Sequence, residues 1–150
     1  MRRNNLIYKL LFTLFLTFTS LLAQPDLSKA NLYKADIDSH TAYKMQQEEG
    51  ILIVDVRTKR EYTYSHAKDS VNIPVFNEQF GQRVFNKNFV EQIDYALKGD
   101  MDKKVILICR TGSRTKFASN LLAYEGFSNV YNIKQGFAYD WSKTELPVEK

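Results

Sequence analysis

The chain has 150 residues, room for one domain around a single core once any targeting segment is set aside. Hydrophobic residues at 44%, charged residues at 25% and only 3 prolines exclude a disordered or fibrous chain. The formal charge of +4 sits largely at the start: residues 1–23 hold Arg2, Arg3 and Lys9 and no carboxylate, so without them 18 of the 21 basic side chains face 17 acidic ones, and nothing points to a nucleic-acid surface.

In chain order, Arg2, Arg3 and Lys9 come before an uncharged apolar run over 10–23. As a helix that run would extend about 21 Å, short of the roughly 30 Å hydrocarbon core, so residues 1–23 read as a cleaved signal peptide ending at Ala23. Leu21 stands where a small residue is preferred before the cut, and an uncleaved anchor is the alternative; a membrane enters only in that case. The expectation is an exported, periplasmic protein. Residues 24–36, with Pro25 and Ser28, read as an irregular polar connector, and 37–146 as the folded domain.

Residues 37–47 have a helical pattern with Asp38 or Ser39 as cap and Gly50 beyond the end. The β-branched run 51–56 is a strand buried on both faces, and its end delivers Asp55 and Arg57 to one edge of the sheet. A short turn or helix over 61–64 and a brief strand over 70–73, stopped by Pro74, follow. The aromatic and polar stretch 76–87 has no clean period and reads as loop or short helix. Residues 89–97 form a helix with Phe89, Val90, Ile93 and Leu97 on one stripe, ending near Gly99. A second buried strand, 105–108, runs directly into Cys109. In the helix 114–125 the apolar residues Phe117, Leu121, Leu122 and Tyr124 fall at helical spacing before Gly126. A last strand over 130–133 and a turn with short helix over 136–141 complete an α/β sandwich with a mainly parallel sheet.

Cys109 is the only cysteine, so it cannot form an internal disulfide; it is a buried small hydrophobe, an intermolecular link or a reactive thiol. With only His40 and His66 beside it, no zinc or haem spacing exists, and no metal or organic cofactor is expected. The residues after it favour reactivity. Arg110, Thr111, Gly112, Ser113 and Arg114 make a polar, cationic mouth between a strand and a helix. Backbone N–H groups of such a loop, the positive end of the next helix and the two guanidiniums would stabilise a thiolate and an anion beside it. Gly112 permits the backbone geometry the loop needs.

At this point the sequence resembles the rhodanese family. Four separated pieces over 38–144 carry the resemblance: Ile53-Val54-Asp55-Val56-Arg57; Glu61-Tyr62 through His66 to Asn72-Ile73-Pro74; the loop from Cys109 to Thr115; and Gly136-Phe137 with Trp141. The resemblance implies a three-layer sandwich, a central parallel sheet flanked by helices, and a sulfurtransferase in which Cys109 accepts a sulfane sulfur from a small anion such as thiosulfate and passes it to a thiol or cyanide. A protein sulfur donor or acceptor is also within its range. Two departures stand out. Where the family writes Gly-His-Ile-x-Gly-Ala, this chain has Ser65-His66-Ala67-Lys68-Asp69-Ser70, and the second residue of the usual glycine pair is Phe137.

The alternatives are a partner-dependent sulfur carrier or binding module, and a cysteine phosphatase or arsenate reductase. The latter use Cys-x5-Arg, one residue longer than the spacing from Cys109 to Arg114, and Ile108 stands where their histidine does. Asp55 and Arg57 could line the pocket, although an Arg57–Glu61 pair is the expected structural use. His66 is expected to be a hydrogen-bonded structural residue, His40 a solvated one, and Phe137 and Trp141 core.

Overall fold

The computed structural model describes residues 24–150; the leader reading for 1–23 lies outside the described residues. Fifteen short elements are arranged about one sheet: β1 (Ala35–Ile37), α1 (Ser39–Glu49), β2 (Leu52–Asp55), α2 (Lys59–Tyr64), β3 (His66–Ala67), β4 (Val71–Asn72), β5 (Phe76–Gln79), β6 (Gln82–Phe85), α3 (Phe89–Ala96), β7 (Val105–Ile108), α4 (Ser113–Tyr124), β8 (Val130–Ile133), α5 (Gly136–Tyr139), a 3-10 turn (Trp141–Lys143) and β9 (Val148–Glu149). The five-stranded sheet runs in the order β1-β8-β7-β2-β4, every neighbouring pair parallel.

Alternation along the central strands divides the core into two halves, because successive side chains of a strand point to opposite faces. Val54, Val105, Leu107 and Val130 pack with Phe89, Ile93, Ala118 and Leu122 from α3 and α4. Ile53, Ile106, Ile108 and Ile133 pack with Ala42 of α1 and with Phe137 and Trp141. The result is the three-layer α/β sandwich. Trp141 is fully buried, meets Tyr43 edge-on and donates its indole N–H to Pro147 O at 3.1 Å, so its polar atom is satisfied inside the core.

The caps follow the residue chemistry. Asp38 caps α1 by accepting from Thr41 N, and Gly50 closes it in the left-handed conformation. Thr58 and Glu61 form a reciprocal capping box that starts α2.

Three expectations are corrected. The connector is irregular through residue 34, as expected, but its last two residues belong to β1, which pairs with β8 from Ala35 to Ile37. It is also tied to α4, where Asn120 accepts from Leu32 N and donates to Leu27 O and Ala30 O. A three-residue strand is too short to leave a periodic signal. The stretch 76–87 is neither loop nor helix but the antiparallel hairpin β5–β6. Its two turn residues, Phe80 and Gly81, both have positive φ, 51° and 76°, the mark of a type I′ turn. The usual Asn-Gly signal is absent, and Phe80 bears a left-handed strain of about 1–2 kcal/mol. Finally, Tyr124 is exposed rather than part of the core stripe of α4, whose inner face is made of Arg114, Thr115, Ala118, Ser119, Asn120 and Leu122. Small and polar side chains there let the helix lie close to β7 and β8.

Candidate active site

All the strands of the main sheet are parallel, so their carboxyl ends share one edge, the usual place for a site in an open α/β sheet. β7 delivers Cys109 to that edge, and α4 starts four residues later. Cys109 is fully buried as a residue, at the floor of the loop, while Arg110, Thr111 and Ser113 are exposed above it. The Gly112 N–H donates to Cys109 Sγ at 3.2 Å, and Thr115 Oγ1 lies 3.4 Å from the same sulfur. Thr115 gives its single hydroxyl proton to Gly112 O at 2.9 Å, so a Cys109 thiol is the donor in their contact.

Two glycines fix the loop's shape. Gly112 has φ 92°, and a Cβ there would meet Lys134 O at 1.8 Å. Gly136 has φ 65°, and a Cβ there would meet Cys109 O at 2.5 Å. The turn from β8 into α5 therefore lies directly beneath the loop and holds it by its carbonyls: Phe137 N–H donates to Cys109 O at 2.7 Å and Ala138 N–H to Arg110 O at 2.9 Å. With those carbonyls engaged from below, the loop turns its Gly112 N–H toward the sulfur.

The expected Arg57–Glu61 pair is not formed. Arg57 instead closes on Asp55, Nε to both carboxylate oxygens at 2.9 Å and a terminal nitrogen to Oδ2 at 2.6 Å, with a further bond to Ser65 O. The backbone N–H of Arg57 also donates to Asp55, so the two-residue separation lets one carboxylate bind both ends of the turn. Both side chains are buried, and the Arg57 guanidinium lies over the Phe137 ring at 4.4 Å. Phe137, in the place of the second residue of the family's glycine pair, thus gives Arg57 an aromatic floor while its own N–H supports Cys109 O.

Glu61 pairs with Arg114, which binds it through both terminal nitrogens at 2.7 Å. Burial would raise the Glu61 carboxyl, but the hydrogen bonds and charge of Arg114, with those of Thr58, outweigh it and hold the group at about 2. Burial weakens the Arg114 cation, and Glu61, Cys109 and Asp55 reverse that, keeping it above the usual guanidinium range. Arg110 is exposed and is the loop's cation nearest to solvent. The sequence reading assigned Arg114 to the loop but missed Glu61, Thr115 and Gly136 as the groups that hold it; the capping-box spacing from Thr58 to Glu61 was visible, but the tertiary pairing was not.

His66 is structural. It stacks on Tyr62 at 3.7 Å between centroids, and its Nδ1 lies 3.0 Å from Tyr62 O. His40 is exposed. The two departures from glycine that flank His66 are also explained. Ser65 is extended, a conformation open to any residue, whereas Asp69 stands at φ 59° in the place of the family's second glycine, a conformation aspartate tolerates better than most.

The description of a rhodanese-like domain matches residues 38–143. Thiosulfate sulfurtransferase GlpE of Actinobacillus pleuropneumoniae serotype 3 (strain JL03) is 32% identical over 114 residues, which cover 76% of this chain and 92% of that protein. A tRNA uridine(34) hydroxylase of Hamiltonella defensa is 30% identical over 118 residues, covering 75% of this chain but 30% of the larger protein. The crystal structure of Rv0390 from M. tuberculosis shares the fold, with a TM-score of 0.63 at 24% identity over 78% of this chain and 98% of that one. A cysteine at the end of a central parallel strand, cradled at the start of a helix, within a match that spans most of the chain, places the protein in the rhodanese-like family.

Proposed function

We propose that the protein moves a sulfane sulfur from a small anionic donor such as thiosulfate to a thiol or cyanide through a persulfide on Cys109. The observation that carries this reading is the Gly112 N–H aimed at Cys109 Sγ from 3.2 Å at the start of α4. A donor of this kind needs a thiolate nucleophile, hydrogen-bond donors that follow the charge, and a cation for the leaving anion.

In the forward half-reaction the Cys109 thiolate attacks the outer sulfur of thiosulfate, the S–S bond of thiosulfate breaks, and sulfite leaves with its electron pair. Gly112 N–H and the α4 dipole stabilise sulfur at the floor of the loop. Arg110 meets the incoming anion at the mouth, while Arg114 adds its charge from the position Glu61 gives it. In the second half-reaction cyanide or a thiolate takes the outer sulfur, and Cys109 returns as thiolate. The sequence of a basic stretch and an apolar run over 1–23 supports export, with this chemistry carried out in the periplasm.

The test is intact-mass spectrometry of the reduced protein before and after thiosulfate, beside Cys109→Ser. The expected result is a gain of about one sulfur mass, removed by cyanide as thiocyanate and absent in the variant. No adduct, together with Cys109-dependent hydrolysis of an aryl phosphate, would overturn the reading in favour of a phosphatase.

A further inference from the structure

Among the described residues the hairpin β5–β6 shares neither edge with another strand, and all four residues of β6 are exposed. Exposed free edges are normally blunted by charge, proline or cover. Here the tip is Phe80, fully exposed in a left-handed conformation, and Val84 and Phe85 are also exposed. A phenylalanine held at a solvent tip does nothing for the core.

The hairpin is rooted in the site. Val75 N–H donates to Val56 O, and Val56 N–H to Ile108 O, the residue before Cys109. Phe76 and Phe85, a cross-strand pair, pack on Phe117 of α4. Glu78 binds Arg60, whose neighbour Glu61 holds Arg114. Arg83 stands opposite Glu78 in the hairpin, but Glu78 is taken by Arg60, and the charge left unpaired beside this root is positive. Among the described residues, Arg83, Lys87, Arg110 and Lys116 have no carboxylate within ion-pair distance, while Glu61 and Glu78 are each taken by an arginine.

We infer that β5–β6 is a docking arm for the protein that removes sulfur from Cys109, a partner that presents its thiol on an extended, acidic segment and adds that segment to the free edge of β6. The inference rests on the sulfurtransferase reading above. Backbone bonds along β6 give affinity, Phe80 and Val84 give apolar contact, and the unpaired cations select the partner's charge. A second copy of this chain is disfavoured as occupant, because a two-fold pairing through this face would set the same unpaired cations of both copies against each other. Once docked, the partner thiolate attacks the outer sulfur of the Cys109 persulfide. The persulfide S–S bond breaks, the outer sulfur remains on the partner as its persulfide, and Cys109 departs as a thiolate onto the Gly112 N–H.

The probes are a short peptide with one cysteine among alternating valines and glutamates, its counterpart with lysines for glutamates, and the glutamate peptide with serine for cysteine, labelled for fluorescence anisotropy. Phe80→Asn suits the left-handed turn and preserves the fold, and Arg83→Glu reverses one cation. With thiosulfate as donor, sulfur transfer to the glutamate peptide is expected to exceed transfer to the lysine peptide. Each variant should lower that kcat/KM about tenfold, a typical loss for one interface anchor, with cyanide turnover unchanged. The labelled serine peptide should bind the wild type and lose affinity in both variants.

Loss of cyanide turnover in parallel would make the hairpin a mere prop of the cradle and overturn the inference. Equal use of both peptides, Phe80-independent binding, Phe80-dependent binding to anionic phosphatidylglycerol vesicles in place of the peptide, or a Phe80-dependent dimer in sedimentation would also overturn it. If wild-type protein makes no thiocyanate yet binds the serine peptide through Phe80, the sulfur chemistry fails and the docking surface stands.

Discussion

Both terminal nitrogens of Arg114 are held by the carboxylate of Glu61 at 2.7 Å, across a separation of 53 residues. The pair joins the start of α2 to the first turn of α4, so the geometry of a helix beside β2 is transmitted to the loop around Cys109. A guanidinium is rigid and binds a carboxylate with two parallel bonds, which fixes its plane as well as its position.

Glu61→Gln can keep only part of that contact and leaves a largely buried cation without its counter-charge. The expected cost is about 1–3 kcal/mol of unfolding free energy, together with a raised KM for thiosulfate. Arg114→Lys should lose a similar amount because an ammonium cannot match the fork. A double-mutant cycle in urea should give a coupling above about 1 kcal/mol. Additive losses would mean that the two side chains stabilise the protein independently.

The same pair sets an acid limit. The folded carboxyl of Glu61 is held at about 2, below its ordinary 4.5. Its contribution to stability is therefore complete above pH 4.5 and is lost as pH falls from there toward 2. Urea midpoints measured across that window should fall more steeply for the wild type than for Glu61→Gln, in which position 61 no longer titrates. Parallel curves would assign the acid loss to other carboxylates.

The strands that position Cys109 were legible because β2 and β7 are apolar on both faces, the pattern of a central parallel strand. The loop was legible because its residue types are local: strand, Cys109, cations, Gly112, helix. What the sequence hid was of two kinds. β1 and the β5–β6 hairpin lacked a signal, one being too short and the other having Phe80 where a turn usually carries asparagine. The partners of Arg57 and Arg114 were hidden because a chain with several nearby charges admits more than one pairing. Sequence separation favoured Arg57–Glu61, whereas Asp55 reaches Arg57 on the turn itself and Glu61 is turned toward α4.

Thr115 is expected to act on the sulfur rather than on the fold. Beside a Cys109 thiol the Thr115 proton goes to Gly112 O, but that carbonyl also accepts from Lys116 N, so once Cys109 is a thiolate the hydroxyl is free to turn its proton to the sulfur 3.4 Å away; Thr115→Val removes that donor and leaves the carbonyl satisfied. A hydrogen bond of about 0.5–1.5 kcal/mol corresponds to a fall of up to roughly tenfold in the rate of persulfide formation. Thr115→Ser should restore most of it. Rapid-quench mass spectrometry after mixing with thiosulfate measures the rate directly; equal rates in Val and Ser variants would show that the hydroxyl is not used.

Gly112 gives the sharpest separation of backbone strain from close approach. Gly50 and Gly112 both have positive φ, 66° and 92°, but an added Cβ at Gly50 meets nothing within 4 Å, whereas at Gly112 it meets Lys134 O at 1.8 Å. Gly50→Ala should therefore cost only the left-handed penalty of about 1–2 kcal/mol and leave turnover unchanged. Gly112→Ala must push the loop off the β8–α5 turn, disturbing the N–H bond to Cys109 Sγ and the Phe137 bond to Cys109 O that lies beside it. The expected outcome is a loss above about 3 kcal/mol and no detectable persulfide, with Gly136→Ala behaving alike because its Cβ would meet Cys109 O at 2.5 Å. Unfolding curves and intact masses of the three variants decide the matter. A Gly112→Ala protein as active as Gly50→Ala would mean that the loop can leave Lys134 without moving the sulfur.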